Sequence, residues 1–162
     1  MFEVKKHAEK SENYQALYAA VCAHLEDERD LVANLANIAA FIYHSLEGVN
    51  WAGFYILKEG ELVLGPFNGK PACTRIPLGR GVCGAAAAQR RVFVVPDVEA
   101  FDGHIVCDGD TKSEIVLPLY KNGTIFGVLD IDSPVLARFS EIDEEYLTKI
   151  AQCISDFLDK LT

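Results

Sequence analysis

The sequence lacks an apolar run long enough to cross a membrane. No stretch approaches the roughly 18 consecutive apolar residues of a spanning helix, and residues 1–7 hold two lysines and a glutamate where a signal peptide would be apolar. Basic residues are also few: 15 Lys and Arg stand against 24 Asp and Glu, a net charge of -9. Such a chain is repelled by phosphate backbones and anionic lipids. We therefore expect a cytoplasmic protein that binds neither nucleic acid nor membrane.

Cysteine is present without a regular spacing. The five cysteines are an odd number and include no Cys-x-x-Cys pair, which disfavours both a secreted disulfide scaffold and a common zinc motif. Cys22 and Cys153 fall on the apolar stripes of predicted helices, so we interpret them as core residues. For Cys73, Cys83 and Cys107 the alternatives are redox chemistry and metal binding together with His104, and we expect no bound metal.

Helical periodicity predicts three long helices near the two ends of the chain. Apolar residues recur at helical spacing from Tyr14 to Leu25, from Leu31 to Leu46 and from Ile142 to Leu161. Asp30 is placed to cap the second helix, and Ser140 begins a capping-box signature at the third.

The middle of the chain reads as antiparallel strands. Aromatic-rich and β-branched segments flank the turn signals at 58–60 and 121–123, so each pair predicts a hairpin. Two helices, antiparallel strands and a final helix indicate an α+β fold. In this fold the terminal helices pack on one face of the sheet and leave the other face for a ligand pocket. At 162 residues the chain should form one domain, residues 1–162.

The second hairpin places three carboxylates on one face. Side chains alternate along a strand, so Glu114, Asp130 and Asp132 lie opposite the apolar rows. A three-residue turn with Gly123 in the left-handed conformation would pair Glu114 with Asp130 and keep both apolar rows together, and we predict that register. Clustered carboxylates raise one another's pKa, so at least one should hold the proton that a general acid needs. The alternative is a solvated sheet edge.

A glycine pattern in the middle of the chain suggests a nucleotide site that we do not expect. Gly79, Gly81 and Gly84 match the dinucleotide-binding fingerprint, and Asp97 lies near the expected distance downstream. However, that fold needs a parallel sheet, whereas the hairpins indicate an antiparallel one, and Pro77 weakens the preceding strand. The sequence therefore predicts no bound cofactor.

Four motifs occur between about Asn50 and Pro134: Gly79-Arg-Gly-Val-Cys83-Gly84, Gly103-His104-Ile-Val-Cys107-Asp108, Ser113-Glu114-Ile-Val and Leu129-Asp130-Ile-Asp132-Ser-Pro134. Together they resemble the GAF-domain free methionine-(R)-sulfoxide reductases. Asp102 and Val106 depart from that pattern, in which proline and a smaller residue are usual, and these differences could alter how the loop closes.

The resemblance implies a thiol-dependent reductase of free L-methionine-(R)-sulfoxide. Reducing a sulfoxide requires a thiolate to attack sulfur and an acid to protonate the oxygen. The family pattern implies that Cys107 is the nucleophile and becomes a sulfenic acid. It also implies that Cys73 resolves that acid as a disulfide, with Cys83 an auxiliary thiol, although the sequence by itself does not order these two. Nearby carboxylates raise the pKa of Cys107, so loop amides or His104 should offset them.

The resemblance also implies how the substrate is held. Glu114 and Asp132 would bind and protonate the sulfoxide oxygen, and Asp130 would hold them or meet the substrate ammonium. Trp51 and Tyr55 would pack on the substrate methyl group and favour sulfonium charge through the ring face.

Thioredoxin or a similar dithiol would regenerate the enzyme. The alternatives are a non-catalytic GAF sensor of a small ligand or of redox state, disfavoured because the chain has no attached output domain, and a general thiol peroxidase. The long helices at both ends could pair across a twofold axis, so a homodimer is a further expectation.

Overall fold

The computed structural model describes residues 2–161. These residues form four α-helices, six strands and a short 3-10 helix at Val98–Ala100. The helices and strands are α1 (Lys10–Asp27), α2 (Leu31–Ser45), β1 (Trp51–Lys58), β2 (Glu61–Gly69), β3 (Arg75–Pro77), α3 (Gly81–Gln89), β4 (Phe93–Val95), β5 (Ser113–Lys121), β6 (Thr124–Ser133) and α4 (Glu141–Asp159). No helix within residues 2–161 is both long and apolar enough to span a membrane.

The six strands form one antiparallel sheet in the order β3-β2-β1-β6-β5-β4. The predicted hairpin between β1 and β2 is confirmed, and its turn residues Glu59 and Gly60 both have positive φ, as a two-residue turn matched to the strand twist requires. Each pair of neighbouring strands is antiparallel. This arrangement excludes the parallel dinucleotide-binding fold.

The register predicted for the β5–β6 hairpin is wrong by two residues. The turn is the two-residue pair Asn122–Gly123, with both residues at positive φ, and Glu114 lies opposite Asp132 instead of Asp130. A two-residue turn alone would split the apolar rows between the two faces. A bulge beside Tyr120 shifts the pairing by one residue and returns both rows to the same face. The three carboxylates therefore share a face, as predicted.

The two faces of the sheet carry different layers. Helices α1, α2 and α4 cover one face, where the fully buried residues include Leu35, Ile38, Ile42, Leu117, Leu129, Ile131, Leu147, Ile150 and Ile154. Each such side chain contributes roughly 1.5–3 kcal/mol by leaving water, so this layer holds the sheet in place. On the opposite face, α3 and two loops cover a second apolar cluster. The predicted α+β fold with helices on one face is confirmed.

Asp143 connects the two ends of the chain. Its buried carboxylate accepts hydrogen bonds from the Tyr14 hydroxyl, from Lys10 Nζ and from the backbone N–H of Ser140, and it pairs with Arg138. The bond to Ser140 confirms the predicted capping signature. Burial alone would raise the pKa of Asp143, but the hydrogen bonds and the Arg138 charge outweigh burial and lower it to about 2. The network thus stabilises the ionised carboxylate.

We expect Asp143→Asn to lower the free energy of unfolding by about 3 kcal/mol at pH 7, because it breaks a buried, fully paired carboxylate. A lowered folded-state pKa contributes stability that is present above the unfolded pKa, near 4, and is lost as the pH falls towards 2. The difference between wild type and variant should therefore shrink across that range in denaturant titrations. The control is Glu144→Gln, which changes an exposed carboxylate on the same helical turn. If Asp143→Asn and the wild type were equally stable at pH 7, this account would be contradicted.

Candidate active site

A partly enclosed cavity lies on the sheet face opposite the long helices. It is bounded by α3, by the loop of residues 70–74 and by the loop of residues 101–112. Its lining includes most of the predicted site residues, namely Trp51, Tyr55, Cys83, His104, Cys107, Glu114, Asp130 and Asp132. The fold therefore gathers residues from four separate parts of the sequence into one site.

A disulfide joins Cys73 to Cys107, with 5.5 Å between their Cα atoms. The bond links the 70–74 loop to the 101–112 loop, and a salt bridge of 2.8 Å between Lys70 Nζ and Asp110 Oδ2 links the same loops. Cys107 lines the cavity, whereas Cys73 packs on the apolar cluster beside it. Of the two partners that the sequence left open, the structure bonds Cys73 to Cys107.

The three carboxylates form the polar wall of the cavity. Glu114 and Asp130 are only 6% and 5% exposed, and Asp132 is partly buried. The Oδ1 atoms of Asp130 and Asp132 are buried and have no hydrogen-bond partner among the described residues. The solvated-edge alternative is therefore wrong.

Burial and mutual repulsion favour the protonated form of these carboxyl groups. Burial raises the pKa of all three carboxyls well above their ordinary values, and a neighbouring charge adds to it in each case: Asp130 acts on Glu114, Asp132 on Asp130, and Glu114 on Asp132. Because three like charges at such close range cannot all be ionised, the group holds at least one proton near neutral pH. The predicted source of an acid is thus present.

Cys83, on the first turn of α3, lies next to these carboxylates. It is 4% exposed, and its Sγ is 4.0 Å from Glu114 Oε2. Burial, followed by the charges of Asp130, Glu114 and Asp132, raises the pKa of its thiol well above the ordinary value. The thiol therefore stays protonated and faces the carboxylates as a hydrogen-bond donor.

The two predicted aromatic residues both line the cavity. Trp51 and Tyr55 stack with ring centroids 5.9 Å apart. Trp51 Nε1 donates to the Lys70 carbonyl oxygen at 3.1 Å, and the Tyr55 hydroxyl donates to the Cys73 carbonyl oxygen at 2.9 Å. The pair therefore also attaches the 70–74 loop to β1, a role that the sequence analysis did not predict.

His104 and Thr111 complete the wall on the side of the 101–112 loop. Burial lowers the pKa of His104, so its imidazole is uncharged at neutral pH and does not supply the positive charge considered for Cys107. Buried Thr111 accepts a hydrogen bond from Asn50 Nδ2 at 3.4 Å. The sequence analysis missed Thr111, because one threonine in a loop without periodicity carries no signal. Val106 is 70% exposed and points away from the cavity.

The glycines of the middle motif serve packing. A Cβ at Gly84 would lie 2.5 Å from the Pro77 carbonyl oxygen, so only glycine lets α3 approach β3 this closely. Gly81 has φ +64° and lies against Ile105 of the 101–112 loop. The start of α3 therefore lines the cavity.

The metal-binding alternative is not assembled as the sequence suggested. Of the four candidate ligands, Cys73 and Cys107 are bonded to each other. A different trio, Cys83, Glu114 and Asp130, has its potential ligand atoms within 4.8 Å of one another. A metal ion at this trio would have to displace the protons that burial and mutual repulsion favour there.

Comparison with known proteins decides the family. Residues 20–156 match the GAF domain family model. The chain is 51% identical to the free methionine-R-sulfoxide reductase of Escherichia coli (strain K12) over 141 residues, which cover 87% of this chain and 86% of that one. The chain belongs to the GAF-domain free methionine-R-sulfoxide reductase family.

Two further relatives align over almost the whole chain. The crystal structure of free methionine-R-sulfoxide reductase from Neisseria meningitidis in complex with its substrate matches with a TM-score of 0.93 and 43% identity, covering 98% of this chain and 96% of that one. Protein YtsP of Bacillus subtilis (strain 168) is 56% identical over 98% of this chain and 99% of its own length. The family resemblance read from the four motifs is confirmed.

Proposed function

We propose that this member of the reductase family reduces free L-methionine-(R)-sulfoxide to methionine with electrons from thiols. The observation that carries the proposal is the shared cavity, in which Cys107 lies with three carboxylates that together hold at least one proton and is bonded to Cys73. A nucleophile, an acid and a resolving thiol are thus in reach of one bound molecule. A sensor of a small ligand needs none of these three, and a sensor of redox state needs the two thiols but no acid.

In the first step, the reduced Cys107 attacks the sulfoxide sulfur. Glu114 and Asp132, opposite each other on β5 and β6, bind the sulfoxide oxygen and one of them protonates it, because a hydrogen bond to that oxygen draws electron density from sulfur. The sulfoxide oxygen passes to the Cys107 sulfur and the S–O bond of the substrate breaks. The products are methionine and a sulfenic acid on Cys107.

In the second step, Cys73 attacks the Cys107 sulfenic acid and releases water, which forms the disulfide present in the structure. Rapid resolution protects the sulfenic acid from irreversible oxidation. An external dithiol then reduces the disulfide by thiol exchange and becomes oxidised itself. We propose thioredoxin or a similar dithiol protein for this role in the cytoplasm.

Substrate recognition follows from the other walls. Trp51 and Tyr55 form an aromatic surface that packs on the substrate methyl group. Asp130, with a buried and unpaired Oδ1, either meets the substrate ammonium or holds the other two carboxylates. No bound cofactor takes part in these steps.

We propose one GAF domain over residues 1–162 and a homodimer through the terminal helices, where α4 exposes Ile142. Light scattering in solution would contradict the dimer by returning the mass of a single chain at micromolar protein.

The function is tested with the two free methionine sulfoxide epimers and dithiothreitol as reductant, with methionine measured by chromatography. We expect turnover of the R epimer and none of the S epimer. Hydrogen peroxide is offered in competition with the sulfoxide, to separate a thiol peroxidase from the reductase. If neither epimer is consumed while another metabolite binds tightly, the sensor alternative replaces this proposal.

Replacing Cys83 should change the pH dependence of kcat through the neighbouring carboxylates. Its Sγ lies 4.0 Å from Glu114 Oε2, and a thiol that donates to a carboxylate favours the ionised form and so lowers the pKa of that carboxyl. Cys83→Ala removes the donor, so the alkaline limb of the pH–kcat profile should move to higher pH, whereas Cys83→Ser keeps a donor and should retain the wild-type profile. Both variants should still form the Cys73–Cys107 disulfide, measured by peptide mapping. Loss of that disulfide in Cys83→Ser would contradict the positioning role and make Cys83 a resolving thiol.

A further inference from the structure

Two more thiols lie together far from the active site. Cys22 on α1 and Cys153 on α4 are free and partly buried, and they face each other across the pairing of these two helices. Both line one surface groove between the helices, together with Arg29 and Lys160. The predicted core packing therefore holds only in part, because both residues are partly buried and line a groove that opens to solvent.

The pairing of α1 with α4 determines how far along each helix axis the two thiols lie. The rings of Tyr14 and Tyr146 stack at 5.2 Å with an interplanar angle of 4°, which sets the register of α1 against α4. Cys22 follows Tyr14 by about 12 Å of helix rise, and Cys153 follows Tyr146 by about 10.5 Å. Since the two helices run in the same direction, the thiols arrive at nearly the same level. Their place on one groove thus follows from the pairing of α1 with α4, which the Asp143 network also stabilises.

We propose that Cys22 and Cys153 form a second, reversible disulfide that braces α1 against α4 under oxidising conditions. With a peroxide as oxidant, one thiol takes an oxygen atom to become a sulfenic acid and releases one water. The second thiol then attacks that sulfur, the S–O bond breaks and a second water leaves. Two thiols are oxidised and one peroxide is reduced. A dithiol reverses the reaction by thiol exchange.

The surroundings make this pair slower to oxidise than an active-site thiol. Burial, followed by the contact with Cys22, raises the pKa of Cys153 to about 12, so its thiolate is scarce at neutral pH. The pair therefore stays reduced during ordinary turnover and closes under sustained oxidant. Closure joins the first and last helices across a loop that includes most of the chain, which restricts the unfolded state strongly.

The test uses the wild-type protein, first fully reduced and then exposed to hydrogen peroxide. Tryptic mapping without reductant should find a Cys22–Cys153 peptide in addition to the Cys73–Cys107 peptide, and the protein should migrate as a single chain on a non-reducing gel. The midpoint of thermal unfolding should rise by on the order of 5–10 °C. Dithiothreitol should reverse the Cys22–Cys153 part of this rise.

Cys22→Ser and Cys153→Ser are the matched controls, each expected to lose the second disulfide and its part of the thermal shift while retaining reductase activity. Wild-type mapping decides the proposal even if one variant folds poorly. Three results would overturn it: both thiols still alkylated after sustained exposure to peroxide, a disulfide between chains, or oxidation of either thiol to a sulfinic acid without cross-linking.

Discussion

Cys107→Ser abolishes reduction of free methionine-(R)-sulfoxide, with an expected loss in kcat/KM on the order of 10⁴-fold or more. A serine hydroxyl has no accessible anionic form at neutral pH and does not accept the sulfoxide oxygen, so neither the attack nor the sulfenic acid is possible. The cavity itself should be preserved, since one oxygen replaces one sulfur. Methionine production with dithiothreitol measures the effect.

The control for Cys107→Ser is Cys22→Ser, which changes a thiol on α1 outside the cavity. It should retain activity within about twofold, as expected of a substitution distant from the site. If Cys107→Ser kept more than a few per cent of wild-type turnover, Cys107 would not be the nucleophile and another thiol of the chain would have to be.

Glu114→Gln should lower kcat by about 10²–10⁴-fold, the usual contribution of a positioned general acid. The amide keeps the size of the side chain and still binds an oxygen, but it has no acidic proton to give. Wild-type activity should be full below the raised carboxyl pKa and should fall as the pH rises through it, because the acid is then ionised. In the variant this alkaline limb should move or disappear. The pH–kcat profile is the measurement.

Stability separates a catalytic role of Glu114 from a structural one. A raised folded-state pKa means that the folded protein binds more protons than the unfolded chain, so stability falls as the pH rises above the unfolded pKa. Glu114→Gln removes this cost and should not lower the free energy of unfolding at pH 7. Exposed Glu99→Gln is the control for both readouts. A variant that is less stable and equally active would contradict the assignment.

The sequence predicted best where the signal is local. Asp30 accepts from the Ala33 backbone N–H, and Asp143 from that of Ser140, as the capping patterns indicate. The antiparallel sheet and the shared face of the carboxylates also follow from two-residue periodicity. These features depend on residues that are close to one another in the sequence.

The errors and omissions arise from longer-range effects. The β5–β6 register depended on a bulge beside Tyr120, which no sequence period reveals. The bond between Tyr55 and the Cys73 carbonyl, and the burial that leaves His104 uncharged, depend on loops that pack only in the folded protein. Likewise, the bond between Cys73 and Cys107 joins two loops that meet only in the folded protein.

A single turnover tests the central claim most directly. Fully reduced wild-type protein is mixed with excess methionine-(R)-sulfoxide without any other reductant, and both methionine and disulfides are quantified. The account predicts one methionine per chain and one new disulfide, mapped to Cys73 and Cys107. In Cys73→Ser the first methionine should still form, with a sulfenic acid trapped on Cys107. Methionine release without modification of Cys107, or a disulfide that excludes it, would contradict the account.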